Sequence, residues 1–129
     1  MSREVIFTEH APLPIGPYSQ GIRTGDTVYV AGQGGVLPGP SPVFAGETIE
    51  AQTEQALQNI AAILAAAGTD MAHVISVTVL LADMADFAAM NAIYATFFPT
   101  DPPARATYAA KELPLKTLVE IVAVAVLPE

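Results

Sequence analysis

The chain contains no cysteine and only two histidines. The lack of cysteine excludes disulfides and thiolate chemistry. His10 and His73 lie far apart in the sequence, and a transition-metal site usually needs several such ligands close together. We therefore expect no bound metal and no cofactor.

Basic residues and long apolar runs are also scarce. Lys and Arg number 5 against 13 Asp and Glu, which gives a formal charge of -8. Such a field repels phosphate backbones, so we expect no nucleic-acid partner. The first residues lack the apolar run of a signal peptide, and the apolar stretches are too short to cross a bilayer. A cytoplasmic protein with no membrane partner is predicted.

Apolar residues, in contrast, are abundant. The 129 residues fit a single domain, 1–129, and 52% of them are hydrophobic while only 14% are charged. A small monomer has much surface to cover, so this excess predicts that other subunits hide part of it. Alanine-rich helices alone are the other explanation.

The residue pattern predicts six strands and two helices. Gly25-Asp26 joins two β-like runs as a hairpin. Thr48 is a good N-cap for the first helix and Gly68 a natural end for it, while Asp83 is expected to cap the second helix. Residues 32–46 are expected to form a loop. The predicted strands are 4–8, 20–23, 27–31, 74–81, 105–111 and 118–127.

This order of elements predicts an α+β sandwich, with one mixed β-sheet and two helices on one face. The last strand is apolar on both of its alternating faces. A strand of that kind is buried on both sides. Because two helices cover only one face of the sheet, the second cover is most simply another subunit.

Glu120 interrupts the apolar residues of this last strand. Glutamate is poorly suited to strands and rarely buried without a partner. One interpretation is that Glu120 pairs with a cation or faces solvent. The other is a carboxylate in an apolar wall that takes a proton from water.

Arg105 is the basic residue best placed for binding. It follows Pro102-Pro103, which stiffen the preceding loop. A guanidinium held in this way suits bidentate capture of a carboxylate. A salt bridge from Arg105 to Glu120, with no substrate involved, is the alternative.

Tyr18 and Asn91 are the remaining polar candidates. Asn91 neighbours the apolar stripe of the second helix, but it is equally consistent with a surface position. That stripe consists of Phe87, Met90, Tyr94 and Phe97. Residues 32–35, Gly-Gln-Gly-Gly, lack the Lys-Ser/Thr and the helix that follow a phosphate-binding loop. No Ser-His-Asp spacing is present.

Together, six short motifs make the chain resemble the RidA (YjgF) family from about residue 4 to 127. Each fragment alone is weak, but their order and spacing are specific. The fragments are Ile15-Gly-Pro-Tyr-Ser-Gln20, Ala31-Gly-Gln33, Val79-Leu-Leu-Ala-Asp83, Met90-Asn91, Pro103-Ala-Arg105 and Val119-Glu-Ile121.

The resemblance implies a chorismate-mutase-like sandwich that assembles as a homotrimer. It also implies hydrolysis of 2-aminoacrylate, or its tautomer 2-iminopropanoate, and of the butanoate homologue to 2-keto acids and ammonia. Pyridoxal-phosphate enzymes produce these compounds when they eliminate water from serine or threonine. A 2-imino or 2-keto acid is thus the expected small-molecule partner.

The resemblance further implies roles for single residues. Arg105 matches an arginine that clamps the substrate carboxylate, and Glu120 a glutamate that activates water. Tyr18 matches a tyrosine that lines the pocket, and Asn91 a pocket residue of the second helix. In the family the pocket lies between subunits, so two chains are expected to supply these residues.

Two positions depart from the family pattern. Many relatives have serine where this chain has Ala31, and cysteine where it has Thr107. Both positions are still expected to contact substrate, together with Gly32, whose loop offers backbone amides. Hydrolysis by activated water needs no thiol, so these departures bear on substrate preference more than on reaction type.

Other functions stay open at this level. The same pocket would suit a non-catalytic module that binds a small acid, or a pathway-specific deaminase acting on a larger enamine. Some family members are described as ribonucleases, but the charge of -8 argues against that activity here.

Overall fold

A computed structural model describes residues 2–129 as six strands and two α-helices. The first three strands precede any helix, and each helix then separates two strands. The strands are β1 (Arg3–Ile6), β2 (Gly21–Thr24), β3 (Thr27–Gly34), β4 (Val74–Leu81), β5 (Ala104–Ala109) and β6 (Val119–Val126); the helices are α1 (Ile49–Ala67) and α2 (Phe87–Phe97).

The six strands form one mixed sheet in the order β1-β2-β3-β6-β4-β5. All neighbours are antiparallel except β4 and β5, which are parallel. The strand that comes last in sequence therefore lies in the middle of the sheet. It joins the N-terminal half, β1 to β3, to the C-terminal pair, β4 and β5.

The helix ends follow from local chemistry. The Thr48 side chain accepts a hydrogen bond from the Ala51 amide at 3.1 Å, as expected of an N-cap. Gly68 ends α1 at φ 91°, where a side chain would be strained. Asp83 caps the short 3₁₀ turn Met84–Asp86 that leads into α2, so the prediction that it caps α2 directly is wrong.

Both helices pack on one side of the sheet, which we call the helix face. The core lies there, between α1, α2 and the sheet. Alternate residues of β6 from Val119 to Ala125 are buried against it. The opposite side, the open face, includes Tyr29, Thr78, Ala106, Tyr108, Val122 and Val124.

The open face is apolar but uncovered in the single chain. Tyr29 and Tyr108 are each about half exposed, and Val122 and Val124 are only partly buried. The sequence analysis predicted that β6 is buried on both sides; the structure confirms burial on the helix face, and burial of the other side stays a prediction. Within residues 2–129, no helix or strand packs over the open face.

Strand β3 runs further than predicted. It continues to Gly34, three residues into the segment expected to be a loop. The pairing with β6 shifts between Val30 and Gln33, as in a β-bulge. This irregularity brings Gly32 beside Glu120.

Within residues 2–129, no helix is long and apolar enough to cross a membrane.

Candidate functional site

A pocket of about 290 Å³ lies on the open side of the sheet, where β3 ends and β6 begins. Its polar part includes Glu120, Thr117, Gln33 and Tyr18. Its apolar part comes from three loops: residues 12–15, residues 36–42 and the turn at 114–115. The pocket thus combines one ionisable carboxyl with largely apolar walls.

Glu120 is the ionisable residue in this pocket. Its side chain is partly buried, and burial raises the pKa of its carboxyl above the ordinary value. Within the described part of the chain it has no ion-pair partner. A carboxylate that is partly desolvated and unpaired is suited to accept a proton.

Gly32 makes the room that the Glu120 carboxyl occupies. A Cβ atom built at Gly32 would lie 2.8 Å from Cδ and Oε2 of Glu120. Real Cβ contacts are essentially never that short. The absence of a side chain at position 32 therefore fixes where the carboxyl can sit.

Tyr18 lies at the pocket mouth on a loop that Gln20 holds in place. Gln20 is almost fully buried, and its amide nitrogen donates to the carbonyls of Thr8 and Pro12, both at 2.9 Å. The Thr8 amide donates to Gln20 Oε1 at 2.8 Å. Tyr18 itself is 48% exposed, so part of its ring is open to a ligand or another chain.

The floor of the pocket rests on a buried polar network centred on Gln52 of α1. Gln52 Oε1 accepts from the Leu118 amide at 2.8 Å and from the Thr117 hydroxyl at 3.2 Å. Its amide nitrogen donates to Gly46 O at 2.9 Å. These bonds anchor the start of β6, two residues before Glu120.

Arg105 lies elsewhere, between β5 and α2. Its guanidinium carbon is 4.6 Å from the ring centroid of Tyr94 and 5.7 Å from that of Phe87. No carboxylate within residues 2–129 forms a salt bridge with it. Arg105 is thus held by aromatic faces and keeps its charge unpaired.

Three polar side chains of the same region lack partners. Asn91 Oδ1, Tyr94 Oη and Thr107 Oγ1 are buried with no hydrogen bond within the described residues. Buried polar atoms are usually satisfied, so such a set marks a place where another molecule or chain completes the bonding. Asn91 and Thr107 were both predicted to contact substrate.

Arg105 and Glu120 point to opposite faces of the sheet. Arg105 pairs in register with Val77, which is buried on the helix face. Glu120 pairs with Leu80, three residues further along β4. Side chains alternate along a strand, so an odd separation reverses the face. A salt bridge between these two side chains within one chain, the alternative considered above, is wrong.

The candidate residues therefore fall into two groups. Tyr18, Ala31, Gly32 and Glu120 line the pocket. Arg105, Asn91 and Thr107 belong to the α2–β5 region and do not line it. The Ala31 amide already donates to Gln20 O at 2.9 Å, so it is not free for a ligand.

Sequence reasoning missed Gln20, Gln52 and Tyr94 as supports of these groups. Gln52 had a readable signal, because it is a polar residue on the buried side of α1. Gln20 had none, since nothing local distinguishes it from an exposed strand residue. Tyr94 was assigned only to the apolar stripe of the second helix.

The chain is similar to a known protein family and to named proteins. A family model described as Endoribonuclease L-PSP matches residues 8–127. Reactive Intermediate Deaminase A, a chloroplastic protein of Arabidopsis thaliana, is 44% identical over 127 residues, which are 98% of this chain and 67% of that protein.

Two further relatives match nearly end to end. The 2-iminobutanoate/2-iminopropanoate deaminase of Mus musculus is 47% identical over 124 residues, 96% of this chain and 91% of that protein. The solved structure of E. coli TdcF with bound serine has a TM-score of 0.91 and 34% identity, and the match covers 97% of this chain and 99% of that one.

Proposed function

We propose, since this chain belongs to the RidA (YjgF) family, that it hydrolyses 2-imino acids to 2-keto acids and ammonia. Relatives at 44% and 47% identity carry deaminase names. The observation that carries the proposal is the Glu120 carboxyl, which is partly buried in an apolar pocket with a raised pKa and no ion-pair partner in residues 2–129.

The proposed reaction needs only water, the imine and side chains of the protein. Arg105 binds the substrate carboxylate through its N–H edge and turns the C=N carbon toward the pocket. Glu120 takes one proton from water as the water oxygen bonds to that carbon. The proton then passes to nitrogen, which gives a carbinolamine. Glu120 next moves the proton of the new hydroxyl to the same nitrogen, the C–N bond breaks, and ammonia leaves as the C=O bond of the keto acid forms.

The catalytic site is proposed to lie between two chains of a homotrimer. Arg105 and Glu120 project from opposite faces of one sheet, so a single chain cannot offer both to one small molecule. The apolar open face supports the same proposal, because a second chain packed there would bury Tyr29, Val122 and Val124. The second chain would then place its own Arg105 beside the pocket that contains Glu120 of the first chain.

The departures from the family pattern fit hydrolysis by activated water. The Thr107 hydroxyl is buried without a partner in the described residues, so it can take up a polar contact in the assembled site. Ala31 offers a methyl group and an amide that is already used. We expect both positions to tune which imine is preferred, and a cytoplasmic location stays a prediction.

Two other functions would be distinguished by the assay described below: ribonuclease activity and non-catalytic binding of a small acid. The name of the matching family model makes ribonuclease activity a class to examine, but a charge of -8 with five basic residues disfavours binding to RNA. A non-catalytic module that binds a small acid would share the Arg105 half of the site. Turnover distinguishes it from an enzyme.

The experiment is a coupled assay of imine hydrolysis. An amino-acid oxidase generates 2-iminopropanoate, 2-iminobutanoate and larger imines in situ, and keto acid and ammonia are followed with and without the protein. We expect faster hydrolysis with wild type and the uncatalysed rate with Arg105→Ala. Binding of 2-oxobutanoate without any acceleration would favour the binding module. RNA cleavage that follows the purified protein and disappears in Arg105→Ala would favour a ribonuclease.

A further inference from the structure

We propose that Tyr94 is a positioning residue whose ring holds the Arg105 guanidinium in place and leaves N–H donors of Arg105 for the substrate carboxylate. This inference rests on the proposed function, because it assigns a support to the clamp of that same site. It concerns a residue that the sequence analysis placed only in the apolar core.

The geometry of the stack is the first argument. The Arg105 guanidinium carbon lies 4.6 Å from the Tyr94 ring centroid, closer than its 5.7 Å to Phe87. Both distances are within the range of cation–π contacts. Phe87 and Tyr94 are seven residues apart on α2, so two helical turns place both rings on the same side of the helix.

The rigidity of Tyr94 is the second argument. Its side chain is 6% exposed, and its ring packs at 4.7 Å between centroids, tilted by 42°, on the buried Phe98 ring. A cation stacked on a fixed ring loses less freedom when it binds a ligand, because its own rotamer is already restricted.

The direction of the guanidinium donors is the third argument. All five N–H groups of arginine lie in the plane of the guanidinium. The guanidinium carbon contacts two rings, and these contacts leave donors available for a carboxylate. A salt bridge to an internal carboxylate would have used them, and none exists within residues 2–129.

The Tyr94 hydroxyl does not neutralise the cation. It is buried beside Arg105, whose charge and N–H donors lower the pKa of the phenol, and it makes no hydrogen bond of ordinary geometry within the described residues. Burial raises the pKa of Tyr94 by more than Arg105 lowers it. The phenol thus stays neutral at neutral pH, and Arg105 keeps its full charge for an anion.

The test compares variants that keep or remove the ring. Tyr94→Phe preserves the face, so 2-oxobutanoate affinity and KM should stay within about twofold of wild type. Tyr94→Leu removes it, and we expect KM and the product Kd to rise about threefold to thirtyfold, with a smaller change in kcat. Met90→Ala is the matched control, since Met90 is buried on the same helix but makes no ring contact with Arg105. It should lower Tm and leave Kd unchanged.

A second series separates electrostatics from packing. Phenylalanines with one, two and three ring fluorines at position 94 keep nearly the same shape while the ring face becomes less negative. The product Kd should rise stepwise along this series. An unchanged Kd across it, or equal losses in Tyr94→Leu and Met90→Ala, would overturn the inference.

These measurements also distinguish the inference from the proposed function. If wild type binds 2-oxobutanoate but hydrolyses no imine, the proposed function fails, and the Kd series still tests Tyr94. If wild type hydrolyses imines and the series is flat, only the inference about Tyr94 fails.

Discussion

Arg105 and Glu120 belong to strands of the same sheet, yet their side chains leave it on opposite faces. Arg105 is paired across the strands with Val77, on the helix face, and Glu120 is paired with Leu80, on the open face. No rotamer change brings the two groups to one small molecule. A site that uses both must take them from different chains, and this requirement leads to the first prediction.

Mixing two inactive variants should restore activity. Arg105→Ala keeps a working Glu120, and Glu120→Gln keeps a working Arg105, so a mixed oligomer contains some interfaces with both native groups. In a cyclic trimer of heterologous interfaces, every mixed oligomer has one interface of three with both native groups, so the doubly purified sample should return about a third of the wild-type rate per site. The measurement is imine turnover of co-expressed, differently tagged variants purified through both tags. Inactive mixed oligomers would contradict a shared site.

Lysine should not replace Arg105. Arg105→Lys keeps the charge but loses the planar fork, so the imine no longer lies in line with the water. Charge-assisted hydrogen bonds contribute roughly 1.5–3 kcal/mol each, so kcat/KM should fall on the order of a hundredfold or more, nearly as far as in Arg105→Ala. Arg23→Lys, at a partly exposed position of β2 outside the pocket, is the control and should retain activity. Unimpaired turnover by Arg105→Ala would end the deaminase assignment.

Glu120→Gln should bind product but hydrolyse slowly. The amide preserves shape, and loss of a general base typically costs about 10²–10⁴-fold in rate. In wild type the base must be ionised, so kcat/KM should fall as pH drops through the raised pKa of Glu120. This acid limb should lie above the usual carboxyl range and be absent from the residual rate of the variant.

The free energy of unfolding should depend on the ionisation of Glu120 in the opposite sense to kcat/KM. Because its folded-state pKa is raised, ionisation destabilises the folded protein. The contribution of this group is fully present below the unfolded-state pKa and is lost as pH rises through the folded-state pKa. Glu120→Gln should therefore be at least as stable as wild type at neutral pH, as thermal melts across pH would show. A loss of about 3–5 kcal/mol would instead indicate a buried ion pair.

A methyl group at position 32 should displace the carboxyl of Glu120. The Cβ of Gly32→Ala would lie 2.8 Å from that group, whereas the Cβ of Gly16→Ala would meet the Tyr18 ring at an ordinary 3.7 Å. Shifts of about 1 Å at a reacting group cost on the order of a hundredfold in rate. We expect Gly32→Ala to lose turnover with little change in Tm and Gly16→Ala to keep both. Equal activities in the two variants would argue against close fixation of Glu120.

The assembled protein should have the mass of a trimer. Light scattering after size exclusion measures this directly, and a monomer mass for wild type would remove the basis for a shared site. Val124→Asp places a charge on the uncovered apolar side of β6 and should give smaller species without turnover. Exposed Glu4 on β1 offers a control, Glu4→Gln, that should leave the mass unchanged.

Features set by neighbouring residues were predictable from the sequence. Thr48 and Gly68 bound α1 because capping and left-handed turns depend on local chemistry. Glu120 was conspicuous because a single carboxylate interrupts an apolar strand. The apolar alternation of β6 likewise indicated a sheet buried on one side and awaiting cover on the other.

Features that depend on distant partners were not predictable in the same way. Gln52 bonds to residues 65 and 66 positions away, and no pattern in α1 specifies them. The opposite orientations of Arg105 and Glu120 depend on the strand register, which the sequence did not fix. The two groups of site residues became visible only when β4 was seen to lie between β5 and β6.

The central place of β6 has a consequence for how the protein folds. Strands β3 and β4 are joined in the sheet only through β6, which pairs with both, so the sheet cannot close progressively from its N-terminal edge. Such non-local pairing is slow, since the loop entropy is lost before the contacts form. The strand that completes the sheet also carries Glu120. A partly folded chain therefore lacks a positioned Glu120, the proposed proton acceptor, and the appearance of activity during refolding should coincide with closure of the sheet.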